Sequence, residues 1–267
     1  MTTVYGDLVR YRELFGNLFR RDVQAKYRGS LLGLAWTLAN PVLLMAVYLL
    51  VFSVLWKTPF GDEGHYALFL LVGLSAWIFF SQSVQSASRS MLDNANLIRK
   101  TRFPRQLVPL SIVATHLISF AVMIAALLVL NFALLPRVRG AELLLVPPIA
   151  VAIVAITAGL SLVLASLNVL FRDIEFLVAA LLLPLFFLTP VLYPLSDPQI
   201  ASREWVVDLI HWGNPLSPAI EALRDPLFYG ELPTPADTLY TVIAALVALA
   251  LGAYVFNRVD DQIAVEV

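Results

Sequence analysis

The chain has 267 residues, 60% of them hydrophobic and only 14% charged, with a net charge of −1 and a mean hydropathy of +0.81. This composition lies outside the soluble range and marks an integral membrane protein, while the near-zero charge excludes a basic surface for nucleic acid. The absence of cysteine excludes disulfides, thiolate metal sites and cysteine nucleophiles, and leaves the redox compartment open.

The first thirty residues are charged throughout, with no apolar stretch before a small-residue cleavage site, so no secretory signal peptide is expected there. Within them Val4, Leu8, Tyr11, Phe15, Leu18 and Phe19 recur at helical spacing, opposite Arg10, Glu13, Asn17, Arg20 and Gln24. The pattern predicts an amphipathic helix lying in the headgroup region; a plain positively charged anchor is the alternative. Arg20, Arg21, Lys26 and Arg28 then precede Leu31 to Trp56, a run without a charged side chain and long enough to cross a bilayer. Positive charge beside a span holds that end in the cytoplasm.

Five further spans are predicted, at Tyr66 to Ser86, Leu107 to Leu135, Leu143 to Leu170, Phe176 to Leu192 and Leu239 to Phe256. The fifth is short and carries Pro184 and Pro190, which suggests two half-helices. Six spans return the carboxyl terminus to the cytoplasm. On that topology Arg10, Arg12, Arg20, Arg21, Lys26, Arg28, Arg89, Arg99, Lys100, Arg102, Arg105, Arg172 and Arg258 face the cytoplasm, and only Lys57, Arg137, Arg139, Arg203 and Arg224 lie outside. That imbalance agrees with the positive-inside rule.

The largest cytoplasmic loop, Arg89 to Arg105, sets Arg99, Lys100, Arg102 and Arg105 around Phe103 and Pro104. It reads either as positive-inside charge touching headgroups or as a docking element. Small and weakly polar residues in the fourth span, from Thr157 and Gly159 to Asn168, suit close helix packing. Arg172 and Asp173 follow in a short connection, able to hold a tight turn by pairing with neighbours. From Tyr193 to Asp237 prolines and acids accumulate, with Trp205, Leu209 and Trp212 on one helical face and Ser217 as N-cap before Pro218. These segments are too short to span and predict helices dipping into the outer interface. The cytoplasmic tail, 257–267, is too small to be a domain.

Absences narrow the function. No GxxxxGK[ST] loop occurs, so ATP hydrolysis is not expected of this chain. The predicted spans carry no Asp, Glu, Lys or Arg of the kind that couples transport to protons or ions. His65, His116 and His211 have no metal-ligand spacing, and His116, inside the third span, reads as a packing histidine. Two acid pairs near span ends, Asp173 with Glu175 and Asp62 with Glu63, keep an intramembrane enzyme acting on a lipid-linked substrate open as a second reading. Trp36, Trp56, Trp77 and Tyr193 lie near predicted span ends and read as an interfacial belt, while Tyr48, Phe52, Phe79, Phe80, Phe186 and Phe187 are deeper or clustered.

Four blocks in a fixed order carry a resemblance. The first runs through Arg21, Asp22, Tyr27, Arg28, Ser30, Leu32, Gly33, Trp36 and Pro41; the others are Asn96 to Pro109, Leu170 to Pro194, and Asn214 to Gly230. Together they resemble the membrane subunit of bacterial ABC exporters for lipid-linked polysaccharides, such as O-antigen, capsule and teichoic acid. The resemblance implies an all-α integral membrane bundle of six helices: an amphipathic interface helix within residues 1–30, spans over 31–267, a cytoplasmic coupling helix, and short re-entrant helices within 193–237.

It further implies that Arg20, Arg21, Asp22, Asn96, Arg99, Lys100, Arg102, Phe103 and Arg105 meet a separate ATPase subunit, which binds ATP and Mg²⁺, so that this chain itself holds no cofactor. Arg172 and Asp173 would form an inner gate, and Trp205, Trp212, Pro218 and Phe228 an outer one. Aromatic faces stack on sugar rings, which makes Tyr48, Phe52, Phe186, Phe187 and Tyr193 candidates for the glycan path. One copy offers half a wall around such a passage, so a homodimer in the bacterial inner membrane is expected, with membrane lipid and a lipid-linked glycan as its other partners.

Overall fold

The structure is a computed structural model, described for residues 6–28, 36–51, 65–101, 103–136, 138, 140–195 and 202–266. Every regular element among these residues is helical. Ser30, Leu32, Gly33, Phe52, Trp56, Lys57, Asp62, Glu63, Arg102, Arg137 and Arg139 lie outside the described residues.

Two helices precede the first apolar one: α1 (Gly6–Arg10) and α2 (Arg12–Tyr27). Glu13 in the first turn of α2 and Lys26 in its last complement the helix dipole. The apolar face of α2 covers protein: Leu18 is buried, and Tyr11, Leu14 and Phe15 pack on the core. The helix therefore packs along the bundle through this face.

Next come α3 (Trp36–Leu49), α4 (Tyr66–Asp93), α5 (Ala95–Lys100), α6 (Leu107–Leu134), α7 (Val146–Leu170, entered through a 3-10 turn at Ala141–Leu145) and α8 (Ile174–Phe187). Three shorter or terminal elements follow: α9 (Glu204–Trp212), α10 (Leu216–Arg224) and the long α11 (Pro235–Glu266). Among the described residues four helices, α4, α6, α7 with its leading turn, and α11 to Asp260, are long and apolar enough to cross a membrane; α3 and α8 are shorter apolar helices.

Local chemistry sets the ends. Pro109 sits in the first turn of α6, where a missing N–H costs nothing. Asn94 closes α4 by donating its side-chain amide to the Ser90 carbonyl at 2.8 Å, and α5 begins at once. Thr234 and Asp237 cap α11 reciprocally: the Asp237 N–H donates to Thr234 Oγ1 at 3.1 Å, and that hydroxyl donates to Asp237 Oδ2 at 2.8 Å. Helix α8 is one continuous helix instead of two half-helices. Pro184 lies within it, and the helix runs on past that missing N–H to Phe187, with Pro190 soon after its end.

Helix α4 is the centre of the bundle. Of its most apolar stretch 78% is buried inside the protein, against 22% for α6 and 28% for α11. The tightest seam joins α7 to α11. A methyl group at Gly159 would collide with the Ala248 carbonyl, and one at Gly252 would stand 2.5 Å from the Gly159 oxygen. The two backbones are in direct contact, as small residues permit between membrane helices.

Candidate functional site

Three helical stripes enclose an open trough of about 350 Å³. Helix α3 contributes Asn40, Leu44 and Tyr48; α4 contributes Leu74, Trp77, Ile78, Ser81, Gln82 and Gln85; α8 contributes Ala179, Leu182, Leu183 and Phe186. Each set recurs every three or four residues, so one face of each helix is turned to the same space. Rings gather at one end. Tyr48 stacks on Phe186 at 5.7 Å, Trp77 tilts against Phe186 at 5.4 Å, and Phe187 meets Phe186 edge-on at 5.3 Å. Tyr193 closes the group by donating its hydroxyl to the Phe187 carbonyl at 2.9 Å. The structure thus brings together Tyr48, Phe186, Phe187 and Tyr193. It also corrects Trp77, which is buried in the body of α4 and not at a span end. Phe79 and Phe80 are core residues, Phe79 stacking on Phe120 at 4.8 Å.

At the other end, marked by the basic residues of α2 and α5, a hollow of about 200 Å³ adjoins the trough and shares Asn40, Ile78 and Gln82 with it. Lys26, Tyr27 and Ser119 line its far side. Here α1 and α2 are stitched to α6 and the residue that caps it by polar pairs in sequence. Gln106 Nε2 donates to Asp7 at 2.7 Å, Ser111 Oγ donates to Asp22 at 2.8 Å, and Lys26 Nζ donates to Ser119 Oγ at 3.1 Å. His116 sits between Lys26 and Ser86, 3.3 Å from each, so its packing role takes the form of a bridge from α2 to α4.

The residues expected at an ATPase surface divide in the structure. Arg20 is exposed, and Asn96, Arg99 and Lys100 lie exposed on α5 while Ile98 holds that helix to the core. Phe103 packs on the core behind them. Asp22 instead anchors α2 to α6 and pairs with Arg21 at 2.7 Å. Arg105 reaches Asp260 of α11, with Nη1 2.5 Å from its carbonyl and 3.1 Å from its carboxylate. Arg172 and Asp173 are exposed, and neither side chain pairs with another described residue. Their turn is held by other groups: the Glu175 N–H donates to Asn168 Oδ1 at 3.0 Å, and the Glu175 carboxylate lies 3.6 Å from Arg89.

At the opposite end the four expected gate residues separate into pairs. Trp205 and Trp212 lie on the exposed face of α9, the latter in contact with Tyr240 of α11 at 5.4 Å. Pro218 and Phe228 are buried, Phe228 edge-on to Phe69 at 5.7 Å. Helix α10 begins one residue before Ser217, capped by the Asn214 side chain, which accepts the Leu216 N–H at 3.1 Å.

Between these pairs stands a residue that composition assigns to the outside. Arg224 is fully buried at the end of α10. Its Nη1 donates to Glu221 at 2.7 Å and its Nη2 to the carbonyls of Pro190 and Val191 at 2.9 and 3.4 Å. Tyr66 donates to the next carbonyl, Leu192, at 2.6 Å, and Asn214 donates to Thr189 Oγ1 at 2.7 Å. Four consecutive residues after α8 are therefore pinned from α4 and α10. Room for the guanidinium exists because residue 73 is glycine, where a methyl would stand 2.8 Å from Arg224 Nη2. Beyond Arg224 the helix widens through one π-helical turn, Asp225–Tyr229, and closes on Gly230 at φ 70°. Burial, reinforced by the carboxylates of Glu221 and Asp237, pushes the Asp225 carboxyl up to about 7. The available sequence signal was an arginine within an amphipathic apolar stretch, which a charge count by side of the membrane overlooks.

The ABC-2 type transporter family profile matches residues 13–228, the region that holds both the trough and the Arg224 cluster. This chain belongs to that family. It is 33% identical over 264 residues to the O-antigen export system permease protein RfbA of Myxococcus xanthus, with 99% of each chain covered. It is 30% identical over 245 residues to an RfbA of Klebsiella pneumoniae, with 91% of each covered. The polysialic acid transport protein KpsM of Escherichia coli is 21% identical over 248 residues, covering 91% of this chain and 92% of that one. As an ABC-2 permease, the chain is a multi-pass membrane protein of the inner membrane and implies an ABC ATPase partner.

Proposed function

We propose that this chain is the permease subunit of an ABC exporter that carries a lipid-linked polysaccharide across the cytoplasmic membrane, driven by ATP hydrolysis in a separate subunit. The observation that carries the reading is the aromatic-ended trough of Tyr48, Trp77 and Phe186. It lies in a chain similar end to end to an O-antigen export permease. Ring faces give a sugar chain sliding contacts without a tight site, which suits transport of a polymer.

In this reading α3, α4, α6, α7, α8 and α11 are six spans, both termini are cytoplasmic, and the basic end faces the ATPase. Arg20, Arg21, Asn96, Arg99, Lys100 and Phe103, with Arg102 beyond the described residues, meet that subunit. Asp22 and Arg105 hold the docking elements to α6 and α11. Arg172 and Asp173 border the inner mouth; α9 and α10, with Trp205, Trp212, Pro218 and Phe228, form the re-entrant outer gate. A second copy completes the wall that α3 and α8 leave open, since Leu43, Val47, Phe176, Leu177, Leu181 and Leu183 are exposed apolar residues on those two helices. ATP-driven closure of the partner would tilt the spans through α2 and α5.

The test is purification of the tagged chain from its native membrane with mass spectrometry of what accompanies it. An ABC ATPase together with a polyprenyl- or diacylglycerol-linked glycan is the expected result. Recovery of the chain alone, turning over a lipid substrate, would overturn the reading.

A further inference from the structure

The two ends of the trough differ in chemistry. Tyr48, Trp77 and Phe186 make one end aromatic; at the basic end Asn40 from α3 faces Gln82 and Gln85 from α4. Gln85 and Trp77 are eight residues apart on one helix, a separation of about 12 Å at the α-helical rise. None of the three amides has a hydrogen-bond partner among the described residues, and Asn40 and Gln85 are exposed. All three lie on helices read as spans. An amide there, left to face hydrocarbon, would have donors and an acceptor unmet, so side chains of this kind in membrane helices turn to a polar partner or a wet cavity. Each amide offers two donors and one acceptor oxygen, which matches the mixed donor and acceptor character of a sugar hydroxyl. Among the described residues no Asp, Glu, Lys or Arg lines the trough; the Lys26 ammonium of the adjoining hollow is held by Ser119 at 3.1 Å, so the trough itself offers no counter-charge to an ionised segment.

We infer that Asn40, Gln82 and Gln85 form a hydroxyl-binding site at the basic end of the trough, taking an uncharged sugar segment edge-on before its ring faces reach Tyr48, Trp77 and Phe186. The site gives direction to the passage: hydroxyl edges are met first, apolar ring faces second. This rests on the exporter reading, and it adds to it which residues meet the sugar and that the sugar meeting them is neutral.

The experiment places a photoreactive benzoyl-phenylalanine at Gln82 or Gln85, and as a control at Val129, which is 70% exposed on α6. The full chain is expressed in cells of its source with its ATPase partner present. After irradiation, adducts on the purified chain are identified by mass. Neutral hexose or deoxyhexose adducts at 82 and 85, with acyl-chain adducts at 129, are expected. Acyl-chain adducts at 82 and 85, no adduct there, or adducts of uronic or sialic acids would overturn the site. In parallel, the Gln82→Leu/Gln85→Leu double variant should lower surface polysaccharide by about tenfold, two hydrogen bonds being lost, while Gln82→Asn retains most of it. ATP hydrolysis by the complex should change by less than about twofold, since no nucleotide contact is touched. Full export by the double variant would overturn the inference with the exporter reading intact. Surface polysaccharide that persists when the whole chain is deleted would instead overturn the exporter reading itself.

Discussion

The guanidinium carbon of Arg224 lies 3.7 Å from the centre of the Phe69 ring, so a positive charge is stacked on an aromatic face in the interior of the protein. The ring quadrupole, the Glu221 carboxylate and two backbone carbonyls replace part of the water that this charge has lost, Nε having no hydrogen-bond partner among the described residues. Through those contacts α10 holds the turn that follows α8, and so the far end of the aromatic cluster.

Arg224→Leu should destabilise the protein by about 3–5 kcal/mol, because Glu221 is left as a partly buried charge without its partner. Adding Glu221→Leu should recover part of that loss, a coupling that a double-mutant cycle measures. Thermal unfolding of the purified protein in detergent checks both. Additive losses would show that the pair is not coupled. Gly73→Ala should also lower stability, since its methyl would meet the buried Arg224 Nη2 at 2.8 Å and the Val191 backbone and side chain at 3.2 Å.

The Asp225 carboxyl provides a pH dependence with a definite sign. Its ordinary value is 3.8, and in the fold burial first, then Glu221 and Asp237, raise it to about 7. Between those values the folded chain keeps a proton that the unfolded chain has released. Stability must then fall as pH rises from about 4 to about 7, with the full penalty present above that range. Melting should occur at a higher temperature at pH 5 than at pH 8, and Asp225→Asn should flatten that difference. A slope unchanged in the variant would assign it to another group.

At the seam of α7 and α11, Gly159→Ala should cost about 1–3 kcal/mol, the range for overpacking a filled site, because its methyl meets backbone and not a movable side chain. Gly252→Ala should do the same from the other helix, and the two should not add. Gly16→Ala, where nothing stands within 4 Å of the new methyl, is the matched control; its melting temperature should not fall.

On the basic face, Arg99→Glu with Lys100→Glu should uncouple ATP hydrolysis from export while leaving membrane insertion intact, as read by surface polysaccharide against ATPase rate. Arg105→Ala should act differently. Its partner is Asp260, so the expected loss is protection of the α11 carboxyl-terminal turns in hydrogen exchange. Full-rate export in the Arg99 and Lys100 variant would remove α5 from the docking surface.

Much of the helix layout was legible because apolar length is a one-dimensional signal. Leu107 to Leu135 matches α6 almost to the residue, whereas the prolines near α8 pointed to two half-helices that the structure replaces with one. What escaped were properties of pairs. The burial of Arg224 escaped because a charge count by side of the membrane sees the residue and not Glu221, Phe69 and Gly73 folding around it. Trp77 reads as interfacial by residue type alone, although it falls near the middle even of the predicted span Tyr66 to Ser86; in α4 it is buried in the bundle. Gln82 and Gln85 gave no signal at all, because an unpartnered amide is recognisable only once the space in front of it is known. The α2 face was correctly amphipathic, but hydrophobic periodicity does not distinguish lipid from a neighbouring helix.

The contact of Gly159 with Ala248 and Gly252 also bears on how the chain is made. Helix α7 is synthesised about ninety residues before the part of α11 that meets it, since Gly159 contacts Ala248 and Gly252. Until α11 emerges, lipid must fill the notch beside Gly159. Helix α11 is therefore the key that locks the bundle, and a chain truncated before Pro235 would present that open notch to whatever machinery removes unfinished membrane proteins.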